Sequence, residues 1–472
     1  MSSATRVWLF ILVSAVIIRL FTLGTYALAD PTEARYAEIA RLMVVSHDWV
    51  TPQIQPEVPF WGKPPLSFWL TAVSFKLFGF NEFAARLPAF LLTILTAVVI
   101  FLLGLRRDGP QVGLAGAGIL FSTAIVFVSA GAVMTDATLA LGTTLAMAGF
   151  WIGIHEKHRG WGYLLFVGLV IGLLGKGPVA LVLTALPIFF WLIWQGGRWR
   201  QLWTHLPLVS GTGLTLALVL PWYLLAEHRS PGFLNYFLVG EHWHRFLDSG
   251  WSGDLYGQGH SNPRGTIWQY WLLAGLPWTL VILLRFVGIH RFYTRPAAAQ
   301  PDGWYVYLLM WALFPAVFFT FAGNILPTYV LPGMPALALL VAAYVQRGQH
   351  VWLRHAGWLV PVAFLVFGVS GLFAIAEDRS QRRLVADFQN LNTQAGKLVY
   401  VFSRPYSASF YSRGAARLVR QPGELDKILG NGRQDFLVLE NSERQRLSER
   451  LLDQLYKVKN YPDYTLYRDA GD

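Results

Sequence analysis

The chain has 472 residues, of which 54% are hydrophobic and only 14% charged, and its mean hydropathy is +0.42. A soluble domain carries roughly 25% charged residues, so these values exclude a purely soluble protein and place most of the chain in lipid. The net charge of +11 comes with no nucleic-acid-binding motif, and the absence of cysteine excludes disulfides and thiolate metal sites.

Eleven hydrophobic segments predict membrane-spanning helices, because a helix needs about 20 apolar residues to cross the hydrocarbon. They lie at about 7–28, 84–105, 111–131, 134–154, 161–175, 178–195, 205–226, 267–286, 303–322, 328–345 and 356–376. The shorter apolar stretch 65–79 favours an interfacial or re-entrant helix. The first segment lacks a small-residue cleavage site, so we expect a retained helix and not a signal peptide.

Basic residues predict the orientation of these helices, because cytoplasmic loops carry an excess of Lys and Arg. They occupy alternate connections, at Arg106 and Arg107, Lys157 and Arg159, Arg198 and Arg200, Arg285, Arg291 and Arg295, and Arg347 and Arg354. Together with Arg6 they place the N-terminus in the cytoplasm. An odd number of spans then places the C-terminus outside.

The first extracytoplasmic loop, residues 29–83, is charged, Pro-rich and aromatic, unlike the mostly short connections elsewhere. Its segment TEARYAEIARLM has apolar residues at helical spacing, and Asp30 could cap that helix. For Glu38 and Arg41 the simpler interpretation is an i,i+3 pair on a surface helix. Asp30 and Glu33 could serve equally as helix caps or in chemistry at the membrane surface.

Lys63 lies in the segment FWGKPPLSFW, with aromatic residues on both sides and two prolines directly after it. A lone interfacial lysine usually extends its ammonium to the lipid headgroups. This lysine is held in a rigid aromatic setting, which favours a fixed phosphate partner.

The segment EHWHRF contributes Glu241, His242 and Arg245 to the same predicted face. It contains no HExxH-type pair, and the planar guanidinium of Arg245 suits an anion better than the segment suits zinc. His242 could be a metal ligand, a hydrogen-bond donor to a phosphate or an ordinary loop residue.

Three further polar residues fall at span ends on this face. Asp136 could cap a helix or line a site, Lys176 could extend to the headgroups, and Tyr329 in LPTYVLP could belong to an interfacial aromatic belt. Charges near helix ends are costly unless they face a cavity or a partner. Their clustering on one face predicts a single extracytoplasmic pocket.

Beyond residue 376 charged residues become frequent and the apolar runs shorten. The segments KLVYVF (397–402), DFLVLE (435–440) and YTLYRD (464–469) predict strands, and SERQRLSERLLDQL (442–455) predicts a helix capped by Ser442. We therefore expect a transmembrane domain over 1–376, followed by a soluble extracytoplasmic α/β domain over 377–472. The second is too small to be the catalytic unit alone.

Several motifs resemble those of the bacterial polytopic glycosyltransferases of the protein-mannosyltransferase and aminoarabinose-transferase superfamily. They are TEARYAEIARLM, DWVTP, KPPLSFW, FGFNEFAARLPA, EHWHRF and LPTYVLP. The resemblance implies the GT-C fold, an α-helical polytopic membrane protein with about eleven transmembrane helices. It also implies transfer of a hexose or pentose from a polyprenyl-phosphate carrier, such as undecaprenyl phosphate, to a lipid, glycan or protein acceptor at the outer face of the bacterial inner membrane.

The resemblance also implies site residues, beginning with an essential acid in the first loop. Glu33 holds the Glu position of the family motif and Thr32 replaces its Asp, so we favour Glu33 as the acid, with Asp30 as the competing candidate. Gly62 replaces a family Glu, which argues against a divalent metal held by that Glu and the loop His, and against an aminoarabinose transferase acting on lipid A. The candidates for binding the lipid phosphate and the donor are Lys63, Arg245, Tyr329, His242 and Arg35, with Asp136, Lys176 and Glu241 as further pocket residues.

The expected chemistry is a single displacement with inversion at the sugar. The C1–O bond breaks through an oxocarbenium-like state, Lys63, Arg245 and Tyr329 stabilise the leaving phosphate, and Asp30 or Glu33 deprotonates the acceptor hydroxyl. A flippase or transporter of lipid-linked sugars is the main alternative, but it would be expected to show inverted repeats and interrupted helices at the midplane. A non-catalytic assembly factor would leave the outer-face charges unexplained.

Overall fold

The computed structural model describes residues 3–197, 199–248, 250–257, 262–286, 302–347, 351–393, 395–429 and 434–469. Most of these residues are helical, and a small mixed sheet lies near the C-terminus. Arg198, Arg291 and Arg295, which contribute to the predicted topology, lie outside the described residues.

Every one of the eleven predicted hydrophobic segments falls on helical structure. The helices are Ser3–Thr22, Glu82–Asp108, Pro110–Phe121 with Ala124–Ser129, Asp136–His155, Arg159–Gly175, Val179–Trp194, Leu208–Arg229, Thr266–Ala274 with Trp278–Phe286, Trp304–Phe319, Met334–Arg347, and the series Val351–Trp358, Leu359–Ala363, Phe364–Leu372 and Phe373–Asp378. Shorter helices outside these segments are Thr32–Ser46, Leu66–Phe78, Trp199–His205, the π-helix Asn235–His244 followed by Arg245–Leu247, Arg382–Leu391, Tyr406–Tyr411, the 3-10 turn Pro422–Glu424, Asp426–Leu429 and Glu449–Leu452.

Five helices in the described part of the chain are long and apolar enough to cross a membrane on their own. They are Ser3–Thr22, Glu82–Asp108, Asp136–His155, Leu208–Arg229 and Pro327–Gln346, the last of which begins with a 3-10 turn. Other predicted spans are shorter or interrupted. The segment 267–286 breaks before Pro277, because proline has no N–H to donate and its ring obstructs the preceding helical turn.

The helices Asp136–His155 and Arg159–Gly175 form a tightly packed antiparallel pair. Glycine at the contact allows this, since a Cβ on Gly149 would lie 2.4 Å from the backbone nitrogen of Leu165. Small residues let two backbones approach closely in this way. The packing brings Asp136, at the start of the first helix, next to Lys176, at the end of the second.

The predicted helix in the first loop is confirmed as Thr32–Ser46, but its surface location is wrong. Glu38 and Arg41 form the expected i,i+3 pair at 2.7 Å, and both are buried. Their helix packs against the helices Leu66–Phe78 and Tyr406–Tyr411, and Arg41 also donates to the carbonyl oxygen of Arg413. Asp30 does not cap the helix, because Pro31 occupies the N-cap position and the side chain of Asp30 bonds elsewhere.

After this helix the first loop forms a short hairpin. Its strands are β1 (Gln53–Gln55) and β2 (Val58–Pro59), which pair antiparallel. The hairpin leads into Phe60, whose ring packs edge-on against Phe68 of the helix Leu66–Phe78. Lys63 therefore lies on a connection that is anchored by aromatic contacts at its beginning and by a helix at its end.

The C-terminal region, residues 377–469, contains a five-stranded mixed sheet of order β4-β3-β5-β7-β6. The strands are β3 (Leu398–Val401), β4 (Arg417–Val419), β5 (Phe436–Glu440), β6 (Leu455–Asn460) and β7 (Tyr464–Asp469). The predictions of β3, β5 and β7 are confirmed. The sequences of β3 and β5 are continuous apolar runs because both faces of the sheet are covered by apolar clusters.

The predicted helix over 442–455 is wrong. Asn441–Arg446 forms a 3-10 turn, Ser448 is extended, and the α-helix covers only Glu449–Leu452. Leu455 already belongs to β6, where pairing with β7 satisfies the backbone that a longer helix would have used. Strand pairing within the β6–β7 hairpin thus overrides the local helical spacing.

Candidate active site

A cavity of about 370 Å³ is lined by six of the ten site residues predicted from the sequence. The six are Lys63, Lys176, Glu241, His242, Arg245 and Tyr329. They come from four separate parts of the chain, and the rest of the wall is mainly apolar, with side chains such as Val182, Leu238 and Phe318. The cavity therefore combines a charged end with a hydrophobic lining.

Glu241 lies between the two cations that were expected to bind phosphate. Its carboxylate accepts a hydrogen bond from Nζ of Lys63 at 3.0 Å and from Nη1 of Arg245 at 2.9 and 3.1 Å. Burial alone would raise the pKa of Glu241, but the charges of Lys63 and Arg245 outweigh it and the pKa is lowered. Glu241 is thus ionised and holds both cations at the cavity wall.

The lining of the charged end of the cavity contains more cations than carboxylates. Three cations, Lys63, Lys176 and Arg245, line it with one carboxylate, Glu241, and Asp136 behind Lys176 adds a second at 2.6 Å. Asp254, 3.7 Å from Arg245, adds a third carboxylate outside the lining, so the three cations and the three carboxylates balance before any ligand binds. Charge-assisted hydrogen bonds from Lys and Arg are strong with phosphate oxygens, so this end of the cavity suits an anion.

His242 is held in one orientation by the backbone. Its Nδ1 lies 2.7 Å from the carbonyl oxygen of Phe237, which can only accept, so Nδ1 carries the proton. Burial lowers the pKa of His242 and keeps the imidazole neutral. Among the described residues no three His, Asp or Glu side chains come together as a metal-ligand group.

Tyr329 faces the cavity. Its ring lies 4.6 Å from that of Phe319, centroid to centroid, and Nζ of Lys176 lies 4.8 Å from the centre of the Tyr329 ring. The 3-10 segment Pro327–Gly333 places it there, with a proline at its start and a second inside it. An interfacial belt alone does not account for this position.

Glu33 does not line this cavity and is instead paired with Arg86. The carboxylate accepts two hydrogen bonds of 2.8 Å from the Arg86 guanidinium, which is fully buried and also donates to backbone carbonyls at the end of the first helix. The backbone N–H of Val133 is a further donor to Glu33 at 3.2 Å. This pair ties the first loop to the helix Glu82–Asp108. Sequence reasoning did not identify Arg86, although it lies within the quoted motif FGFNEFAARLPA.

Asp30 lies at the wall of a second cavity of about 440 Å³, between the first loop and the C-terminal region. Its carboxylate accepts hydrogen bonds from the backbone N–H of Ser407, at 3.1 Å, and from the Ser407 hydroxyl. Burial raises the pKa of Asp30 to about 6, although the bonds from Ser407 act to lower it. No sequence signal pointed to Ser407, which lies in an ordinary-looking stretch of the C-terminal region.

Arg35 lines neither cavity, but it contacts residues next to both of them. Its Nη1 donates to the carbonyl oxygen of Tyr256 at 2.5 Å, and its guanidinium lies 5.9 Å from the ring centre of Tyr406, a residue of the second cavity. The Tyr256 hydroxyl accepts from the backbone N–H of Trp61, two residues before Lys63. Arg35 is therefore placed to support both walls.

Comparison with known proteins identifies the family to which the chain belongs. Residues 2–237 match the family described as dolichyl-phosphate-mannose-protein mannosyltransferase. The undecaprenyl phosphate-alpha-4-amino-4-deoxy-L-arabinose arabinosyl transferase of Edwardsiella ictaluri is 31% identical over 384 residues, which are 78% of this chain and 64% of that protein. The protein of the same name from Pseudomonas aeruginosa is 30% identical over 372 residues, 76% of this chain and 63% of the relative. The chain thus spans slightly less than two thirds of the length of these relatives.

The fold is shared with a solved structure, that of ArnT from Cupriavidus metallidurans bound to undecaprenyl phosphate. The TM-score is 0.75 at 21% identity, and the match covers 98% of this chain and 97% of the other. The predicted GT-C fold, a polytopic helical membrane protein with a small C-terminal sheet, is confirmed by this likeness, without fixing the number of spans. The apolar helices and this likeness together show a multi-pass membrane protein.

Proposed function

The chain belongs to the dolichyl-phosphate-mannose-protein mannosyltransferase family, and we propose that it transfers a sugar from a polyprenyl-phosphate carrier to a cell-envelope acceptor. The observation that carries this proposal is the cavity in which Lys63 and Arg245 share the carboxylate of Glu241 beside an apolar wall. Undecaprenyl phosphate, which the names of the relatives carry, is the expected lipid.

The donor phosphate would bind between Lys63 and Arg245. Both cations remain accessible to a ligand while they are paired with Glu241, because the side chains of Lys63 and Arg245 keep 17% and 23% of their surface exposed. The apolar part of the wall, including Val182 and Phe318, suits the first units of the polyprenyl chain. Cations fixed before the reaction stabilise negative charge as it develops on a leaving phosphate.

Of the two acids left open by the sequence, Asp30 is the one we assign as general base. Both oxygens of Glu33 are occupied by Arg86, so Glu33 serves to hold the first loop in place. Asp30 lies at an open cavity, and its pKa of about 6 keeps it ionised at neutral pH yet more basic than an ordinary aspartate. A base with a pKa near the working pH is the most effective one.

The reaction is then a single displacement. The acceptor hydroxyl gives its proton to Asp30 while its oxygen attacks the anomeric carbon of the sugar. The bond between that carbon and the phosphate oxygen breaks with both electrons going to the phosphate, whose charge Lys63 and Arg245 stabilise. One sugar–oxygen bond forms and one breaks, and the configuration at the anomeric carbon is inverted.

The proposed location is the bacterial inner membrane, with the N-terminus in the cytoplasm and both cavities at the extracytoplasmic face. The helix Asp136–His155 supports this arrangement, because Asp136 lies by the charged cavity while Glu156 follows the other end and pairs with Arg106. We further propose that 1–376 form the transmembrane domain and 377–472 a soluble extracytoplasmic α/β domain.

Intact-mass analysis of cell-envelope lipids and glycans tests this function. Deletion of the gene is expected to remove a species that is heavier by one sugar residue, and the wild-type gene is expected to restore it. A gene carrying Lys63→Ala should not restore it. Identical mass profiles in the parent and the deletion strain, under conditions in which the protein is produced, would contradict the proposal.

A further inference from the structure

We propose that Ser407 positions the Asp30 carboxylate for proton abstraction, so that the C-terminal region completes the active site. This inference rests on the proposed function, since it assumes that Asp30 accepts the acceptor proton. Ser407 acts through Asp30 and is therefore a positioning residue. It lies 377 residues further along the chain and is fully buried.

The hydrogen bonds around Ser407 fix the direction of its hydroxyl. The Ser407 oxygen accepts the backbone N–H of Gln381 at 2.9 Å, so its single proton is free to point towards Oδ2 of Asp30. The Ser407 backbone N–H donates to the same carboxylate, at 3.1 Å from Oδ1 and 3.3 Å from Oδ2. The carboxylate is thus oriented by two donors of one residue.

The backbone of Asp30 is held by the same region. Its N–H donates to the carbonyl oxygen of Arg379 at 2.8 Å, so Asp30 is bound to the C-terminal region through both its backbone and its side chain. A carboxylate has about four lone-pair positions. The two Ser407 donors and the backbone N–H of Tyr406 leave room for an acceptor hydroxyl from the adjoining cavity.

Other contacts hold the two regions together without touching Asp30. The Tyr411 hydroxyl accepts from the backbone N–H of Leu28 at 2.8 Å and donates to Glu82 at 3.0 Å. Arg382 donates to the same Glu82 carboxylate at 3.0 Å. These bonds provide a matched control, because their loss weakens the junction but leaves the Asp30 carboxylate with both Ser407 donors.

Removal of the Ser407 hydroxyl should change the proton affinity of Asp30. Hydrogen bonds to a carboxylate stabilise its charged form, so their loss lets burial raise the pKa of Asp30 further. The other titratable or charged groups around Asp30 stay in place in such a variant; they are Asp378, Arg379, Tyr400, Arg404, Tyr406, Glu440, Asp463 and Tyr464.

The test is the pH dependence of kcat/KM for sugar transfer in the full-length protein. Ser407→Ala should lower kcat/KM at pH 7 roughly tenfold, the usual effect of losing a hydrogen bond to a charged group, and should move the acid limb to higher pH. Ser407→Thr keeps the hydroxyl and should restore most of the activity. Tyr411→Phe should leave the acid limb at its wild-type position.

Two outcomes would overturn the proposal: an unshifted acid limb in Ser407→Ala, or an equal shift in Tyr411→Phe. Should Ser407→Ala fail to fold, Ser407→Cys takes its place, because a thiol is a weaker donor and should shift the limb in the same direction. Asp30→Asn separates the hypothesis that Asp30 is the base from the hypothesis that Ser407 positions it. Full activity in Asp30→Asn would remove the proposed base itself, whereas an inactive Asp30→Asn beside an unaltered Ser407→Ala would remove only the role of Ser407.

Discussion

The ammonium of Lys63 lies 3.0 Å from the carboxylate of Glu241, although 178 residues separate them in the chain. The same carboxylate also holds Arg245, so one buried acid fixes two cations from two separate segments of the chain. This arrangement sets the positions of both cations before a ligand arrives. A preorganised pair of this kind is better suited to a phosphate than two independently mobile side chains.

Lys63→Ala and Arg245→Ala should each lower transfer activity roughly tenfold or more, because each removes a charge-assisted contact to the donor phosphate. Membrane insertion and thermal stability should stay near those of the wild type. The control is Arg229→Ala, which removes a half-exposed cation paired with Asp48, an interaction of little energetic value. Near-normal turnover in both cavity variants, or an equal loss in Arg229→Ala, would refute the assigned phosphate site.

Glu33→Gln should destabilise the protein, because it leaves the Arg86 guanidinium buried without its counter-charge. Breaking a buried ion pair on one side typically costs about 3–5 kcal/mol. The double variant Glu33→Gln/Arg86→Met should regain part of the lost stability and activity. Thermal melting in detergent together with turnover measures both effects. A stable but inactive Glu33→Gln that Arg86→Met does not rescue would instead make Glu33 the base.

Asp30→Asn should fold normally and lose transfer by about 10²–10⁴-fold, the usual effect of removing a general base. The wild-type pH profile should show an acid limb near pH 6, since the pKa of Asp30 is raised to about 6. The base works only when it is deprotonated, so kcat/KM should fall as the pH drops through that value. A profile that is flat between about pH 5 and 7, or an Asp30→Asn variant with wild-type turnover, would rule Asp30 out.

The absence of cysteine makes the membrane topology directly measurable by single-cysteine labelling. Ser442→Cys, an exposed position in the C-terminal region, should react with a membrane-impermeant maleimide in intact spheroplasts. His158→Cys, exposed in the turn before the helix Arg159–Gly175, should react only after permeabilisation. Labelling of both positions under the same condition would place the two regions on one side and contradict the proposed orientation.

The sequence indicates which charged residues gather at one cavity better than it indicates what each one contacts. Lys63 and Arg245 stand out because each lies in a short polar segment beside apolar runs. A charge there is energetically costly unless it faces a cavity or a partner. The partners of the two acids could not be predicted, because Arg86 lies 53 residues from Glu33 and Ser407 lies 377 residues from Asp30. Such pairs depend on how distant helices pack.

Local spacing also failed where tertiary structure supplies the competing interaction. Asp30 has the side chain of a helix cap, but Ser407 offers it two donors and Pro31 takes the cap position. Glu38 and Arg41 form the pair that their spacing predicts, yet the C-terminal region buries them. Burial by a segment more than 300 residues away along the chain leaves no local trace in the sequence.

The central claim is tested most directly with the purified protein in lipid nanodiscs, supplied with undecaprenyl-phosphate-linked pentoses and hexoses and a cell-envelope extract. Mass spectrometry measures the free undecaprenyl phosphate that is released. The wild-type protein is expected to release it from at least one donor, and only when the extract is present, while Lys63→Ala releases it at least roughly tenfold more slowly. No release above the protein-free background with any donor, or equal release by Lys63→Ala, would contradict the account.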